Sequence, residues 1–249
     1  MSVRFDSARL KVTRAERHIG ELRALIIDFA GQKPCTLMIQ RNEDRKSNSL
    51  VASAAKGLPE EVAMAIGDVI HNLRTSLDHM AFQIVGDSRS KVQFPMNKTA
   101  SGLVSTPPFN MLTKAFPAMK PLLLNKLRPY EDGNYPLWAL DQMDIIDKHK
   151  LLLPAYSVSS ITGLDCVTED GEIKVSNLSV FVEEGLSASL IGTDTPLTIT
   201  NPGIQSVAIK FSAGSYFEGQ DVFGTLNLLV RTALYAIVET ERVYFGVKK

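Results

Sequence analysis

Pro59-Glu-Glu-Val-Ala-Met-Ala-Ile-Gly-Asp-Val-Ile-His-Asn-Leu-Arg-Thr-Ser-Leu-Asp-His-Met-Ala-Phe-Gln-Ile-Val85 is the stretch whose reading decides the fold. At ~100° per residue, Ile66, Val69, Ile70, Leu73, Leu77, Met80 and Ile84 share one helix face that must be covered by protein. Pro59 suits a first helical turn, and Glu60 and Glu61 complement the positive end of the helix dipole. Asp68, Asn72, Ser76, His79 and Gln83 line an opposing polar stripe, with Thr75 beside it. His71, Arg74, Asp78 and Phe82 occupy the flank. A helix with this many hydrogen-bonding groups away from its core face is expected to contact more than water.

Outward from this helix, residues 5–30 repeat the helical period through Leu10, Val12, Ile19, Leu22, Ile26 and Phe29, and Gly31 and Pro34 end it. Cys35–Gln40 and Leu50–Ala55 read as a small hairpin across a polar turn. Six prolines between 86 and 134 predict little regular structure there beyond a short helix near 120–127. A helix follows from Tyr135 or Pro136 to Leu152, with Trp138 in the core. Ala155–Phe211, rich in Val, Ile, Ser, Thr and Gly, reads as four or five antiparallel strands, and 221–243 returns to helix. The fold class is therefore α+β. A helical part with the hairpin (1–154) precedes a β segment (155–216), and a C-terminal helix (217–249) packs back on the helical part.

Composition excludes more than it selects. At 45% hydrophobic and 22% charged, the chain is neither disordered nor a coiled coil. Lys+Arg and Asp+Glu both count 27, so no overall charge favours nucleic acid or membrane. Cys35 and Cys166 are too few for a disulfide framework or a four-thiolate zinc site. Residues 222–238 are apolar but interrupted by Arg231, which favours a buried helix over a membrane span. The opening residues lack the apolar run of a secretory signal, so a cytoplasmic location is expected. Charge is nonetheless unevenly spread. Seven bases and no acid lie between Ser88 and Tyr130, which reads either as a solvated loop or as an anion-facing segment.

No nucleotide-binding glycine loop, nucleophile elbow, Cys-x-x-Cys pair or His-Glu-x-x-His helix is present. Arg74-Thr-Ser-Leu-Asp-His79 does resemble the Arg-x4-6-His signature of HEPN-domain proteins. That resemblance implies a helical bundle that dimerises and binds or cuts RNA without metal or cofactor, as toxins and phage-defence effectors do. It also implies that Arg74 and His79 are the catalytic pair, assembled at the dimer interface. Histidine suits proton transfer near neutral pH, and arginine suits a phosphate whose charge grows in the transition state. Five residues turn the pair ~140° apart on a straight helix, so convergence calls for a helix end or a partner chain. Asn72, Thr75 and Ser76 would support the site, and Lys114 and Lys120 would hold RNA. The wider Gly67–Met80 stretch, with Phe94-Pro95 and Asp147-Lys-His-Lys150, is also similar to a family of uncharacterised bacterial proteins, a likeness that brings no activity.

Two other readings use the same residues. In one, a non-catalytic dimeric binding or structural protein has its Asp/His cluster only locking helices together. In the other, Asp68-x-x-His71 faces Asp144, Asp147 and His149 across two helices to hold a metal. A basic patch lining one cleft with His79 would favour ribonuclease chemistry, and His79 sealed in a hydrogen-bonded core would favour the structural lock.

Overall fold

The apolar face of the decisive helix is buried as its spacing requires. In the computed structural model, which describes residues 5–43, 47–54, 56–86, 91–152 and 154–246, α2 runs Glu60–Val85. Ile66, Val69, Ile70, Leu73, Leu77 and Met80 on it are all fully buried. Among the described residues the chain forms seven helices and two three-stranded antiparallel sheets, a mixed α+β fold. It divides into two compact units, one of Met1–Glu21, Ala63–Leu152 and Gly214–Lys249 and one of Leu22–Val62 and Leu153–Ala213.

The first unit is helical. It holds the first part of α1 (Asp6–Gly31), most of α2, α3 (Ala100–Val104), α4 (Pro107–Ala115) and α5 (Met119–Pro121). A π-helical run, Leu122–Leu127, continues α5, and α6 (Tyr135–Asp147) and α7 (Val222–Tyr244) complete the unit. The prolines expected to break regular structure partly start it instead. Pro107 and Pro108 open α4, where the missing N–H groups are not needed, and Thr106 caps its first turn. Thr99 caps α3 in the same way. α6 ends at Asp147 rather than Leu152, because the N–H groups of His149 and Lys150 both turn back to the Ile146 carbonyl. Trp138 is buried, edge-on to Tyr216 at 5.2 Å.

α7 begins at Asp221, whose carboxylate accepts the Gly224 N–H at 2.6 Å. By length and composition α7 could cross a bilayer, but half of its most apolar window is buried inside the fold, as in a core helix. Its C-terminal end is fixed by charge: Glu241 accepts from the Phe5 N–H at 3.1 Å and from Arg9 Nε at 3.0 Å.

The second unit is built on strands. β1 (Cys35–Asn42), β2 (Ser47–Ala54) and β5 (Ser187–Thr193) form one sheet in the order β1-β2-β5. β3 (Pro154–Thr168), β4 (Gly171–Glu183) and β6 (Leu197–Phe211) form the other in the order β4-β3-β6. The hairpin β1–β2, grouped with the helical part in the sequence reading, belongs with the strands, because the free edge of β2 is taken by β5. Gln205 ties β6 to β1 by copying a backbone ladder: its side chain accepts the Cys35 N–H at 2.9 Å and donates to the Cys35 carbonyl at 2.6 Å. Phe29 meets the Tyr156 ring edge-on at 5.1 Å. Burial, then the charge of Glu184, push the Tyr156 hydroxyl up to about 12, so it stays protonated and donates to the Lys56 carbonyl.

Gly163 in β3 and Gly203 in β6 both lie in the left-handed region, at φ 70° and 71°. A side chain at Gly203 would meet the Thr162 carbonyl at 2.6 Å. Along β4 the half-buried positions are 173 and 175 and then 178 and 180, a switch of side that strict alternation cannot foresee.

Candidate functional site

Spacing on two helices builds the site. On α2, His71, Arg74, Thr75 and Asp78 recur at three- and four-residue intervals and so share a face. On α6 and just past its end, Asp141, Asp144 and Lys148 do the same. The two lines meet. Arg74 Nε donates to Asp141 Oδ1 at 2.6 Å, Nη1 to Asp78 Oδ1, and Nη2 to the Phe94 carbonyl at 3.2 Å. Asp78 Oδ1 also accepts the Phe94 N–H at 2.7 Å, so one arginine and one aspartate clamp both backbone groups of Phe94. Arg74 is only 6% exposed. Burial opposes its charge, but Asp78 and Asp141 together outweigh burial and hold its pKa above the ordinary value.

The flank of α2, rather than its polar stripe, therefore makes the helix contact. On the stripe, Asn72 and Ser76 are buried and bond to their own helix, Asn72 Nδ2 to the Asp68 carbonyl at 2.8 Å and Ser76 Oγ to the Leu73 carbonyl at 2.6 Å. Both are turned inward rather than presented at the surface. His79 is half-buried and has no polar partner among the described residues.

Next to Arg74 lies a second, more open contact. Asp144, 3% exposed, faces His71 Nδ1 across 2.9 Å through Oδ1 and accepts from Lys148 Nζ at 2.5 Å through Oδ2. The His71 side chain is 52% exposed, and its Nε2 lies 3.4 Å from Thr75 Oγ1. Asp147 rests against Gly67, where a side chain would come within 2.3 Å of its Oδ1. Burial first, then the charges of Asp144 and Asp68, raise the Asp147 pKa above the ordinary carboxylate value.

A cleft of about 300 Å³ opens beside this network, with Arg74, Asp78, Phe94, Pro107, Asp141 and Lys148 among its walls. His79, Lys114 and Lys120 are not among the residues that line it. The two lysines are exposed on α4 and α5. Two other cations of the basic segment are paired: Lys126 with Glu239 and Lys98 with Glu131. The structure thus forms two neighbouring clusters, Arg74 with Asp78 and Asp141, and Asp144 with His71 and Lys148, Thr75 lying beside His71. It does not bring Arg74 and His79 to one cleft. No three His, Cys, Asp or Glu side chains among the described residues converge as a metal-holding group, and His149 is exposed in the turn after α6.

The chain matches no family model, no curated protein and no solved structure. The functional reading therefore rests on this geometry. Sequence reasoning missed Asp141 as the partner of Arg74. The signal that could have found it is the matched three- and four-residue spacing of opposite charges on α2 and α6.

Proposed function

We propose that this chain is a non-catalytic binding protein, working as a homodimer, in which the cluster around Arg74 is framework. The observation that supports this reading is that all three guanidinium nitrogens of Arg74 are engaged inside the chain. An arginine that grips RNA phosphate must expose its donors, whereas Arg74 spends three of its five N–H groups inside the chain and is only 6% exposed. Freeing these would leave Asp78 and Asp141 without their counter-charge, at a cost of ~3–5 kcal/mol. The cleft walls carry three carboxylates (Asp78, Asp141, Asp144) against two cations (Arg74, Lys148), a balance that repels a phosphate chain. Under this reading the purified protein leaves structured and single-stranded RNA intact, with or without divalent metal. RNA cleavage with cyclic phosphate ends, lost in both Arg74→Ala and His79→Ala at unchanged stability, would restore the HEPN-like ribonuclease reading.

A second reading keeps metal-independent RNA cleavage but moves the proton carrier to His71. What favours it is the His71 ring, held at Nδ1 by buried Asp144 and open to solvent on its other side. An imidazole fixed in this way can take a proton from a ribose 2′-hydroxyl. Here chelator-resistant cleavage would vanish in His71→Gln while the fold stayed intact, and His79→Ala would have no effect.

A further inference from the structure

We propose that the cleft beside Arg74 binds a small organic cation, an ammonium or guanidinium group carried on a compact apolar body. This deepens the binding-protein reading and rests on it for the fixed Arg74–Asp78–Asp141 cluster. Asp78 and Asp141 share one guanidinium, so the cluster keeps a negative charge that its own residues do not match. Asp144, also in the cleft wall, is matched by Lys148. The surplus charge can be reached from solvent, because the Asp78 and Asp141 side chains are 25% and 18% exposed. In each carboxylate Oδ1 takes the bond from Arg74. Asp78 Oδ2 has no donor among the described residues, and Asp141 Oδ2 has a long contact of 3.3 Å from the adjacent Gln142. An ammonium brings three donors and no acceptor, which suits these oxygens.

An anion would find little to hold it here. Helix starts bind anions through free N–H groups, and α4 starts at this cleft. Pro107 and Pro108 have no N–H to give. The Phe109 N–H is taken by Thr106 Oγ1 at 3.3 Å and the Asn110 N–H by the Thr106 carbonyl at 3.2 Å. The Phe94 N–H is taken by Asp78. What remains at the helix start is a partial charge of about half a proton, against a full charge on the carboxylates. The apolar body has its own walls. Met96, Pro107, Pro108 and the 45% exposed Ile145 line the cleft. Two prolines and a capped turn fix one of these walls before any ligand arrives, which lowers the ordering cost of binding. A volume of about 300 Å³ is at the small end for ligand sites and sets the size of the occupant.

Titration of the full chain with benzylammonium at low salt, followed by calorimetry, tests the site. Saturable binding is expected, roughly tenfold tighter than that of neutral benzyl alcohol, with no binding of benzoate. Acetyl-lysine amide, titrated in parallel, carries the same ammonium as a protein side chain does. The tighter of the two cations tells a free amine from the lysine of another chain. Ile145→Lys adds a competing cation at the exposed rim and should weaken benzylammonium binding about threefold, whereas Lys148→Gln removes one and should tighten it by a similar factor. Unchanged circular dichroism would show that both variants fold. Failure of both cations to bind, equal binding of benzylammonium and benzyl alcohol, or equal affinity in wild type and both variants would overturn the proposal. None of these touches the framework role of Arg74, which unfolding of Arg74→Ala reads separately. RNA cleavage by a chain that also binds the cation would overturn the non-catalytic reading alone.

Discussion

The helical unit and the strand unit are specified in different ways. In the helical unit, buried charges hold the elements to one another: Arg74 with Asp78 and Asp141, Asp144 with His71 and Lys148, Arg9 with Glu241. In the strand unit, backbone ladders do this work, and where a ladder stops, a side chain imitates it, as Gln205 does at Cys35. A ladder tolerates many side chains. A buried ion pair fails when one partner goes, because the other is left charged and dry. Losing one charge should therefore damage the helical unit more than the strand unit.

The sharpest way to break this comparison is Arg74→Ala, expected to lower unfolding free energy by ~3–5 kcal/mol in urea titration. Leu73→Ala on the fully buried face of α2 should cost ~2–5 kcal/mol, as a large core truncation does. A loss below about 0.5 kcal/mol would mean that this face is not core. In the strand unit, Gln205→Ala removes both partners of the buried Cys35 backbone. It should cost ~1–3 kcal/mol and speed exchange of the Cys35 amide, and an unchanged exchange rate would mean that the mimicry is incidental.

The smallest expected effect concerns Asp147. Its folded-state pKa is raised, so the folded chain holds that proton more tightly than the unfolded chain does. The stability this confers is full below the ordinary carboxylate pKa and is lost as pH rises through the folded value. At neutral pH the ionised group is therefore a burden. Asp147→Asn should raise the melting temperature slightly there, with the gain fading as pH falls through the carboxylate range. A destabilised variant at neutral pH would show that the charge is used.

Much of the fold was legible because the period of the core residues is local. The spacing of Ile66, Leu73, Leu77 and Ile84 required a buried helix, and the turn signals at Glu169–Gly171 and Glu184–Gly185 fell at the two ends of β4, whereas the one at Asn201–Gly203 lies inside β6. What was not local was not legible. That β2 pairs with β5 depends on residues far along the chain, and Asp141 lies 67 residues from Arg74. The Arg74–His79 spacing drew attention because it is short. The partners that occupy Arg74 come partly from a different helix.

A double-mutant cycle on Arg74→Ala and Asp141→Ala, read by equilibrium unfolding, tests the central claim most directly. If Arg74 is framework, each single change destabilises strongly, and the double mutant loses less than their sum by roughly 1–3 kcal/mol. If Arg74→Ala unfolds like wild type and the coupling is near zero, the guanidinium is free for a ligand and the framework reading is wrong.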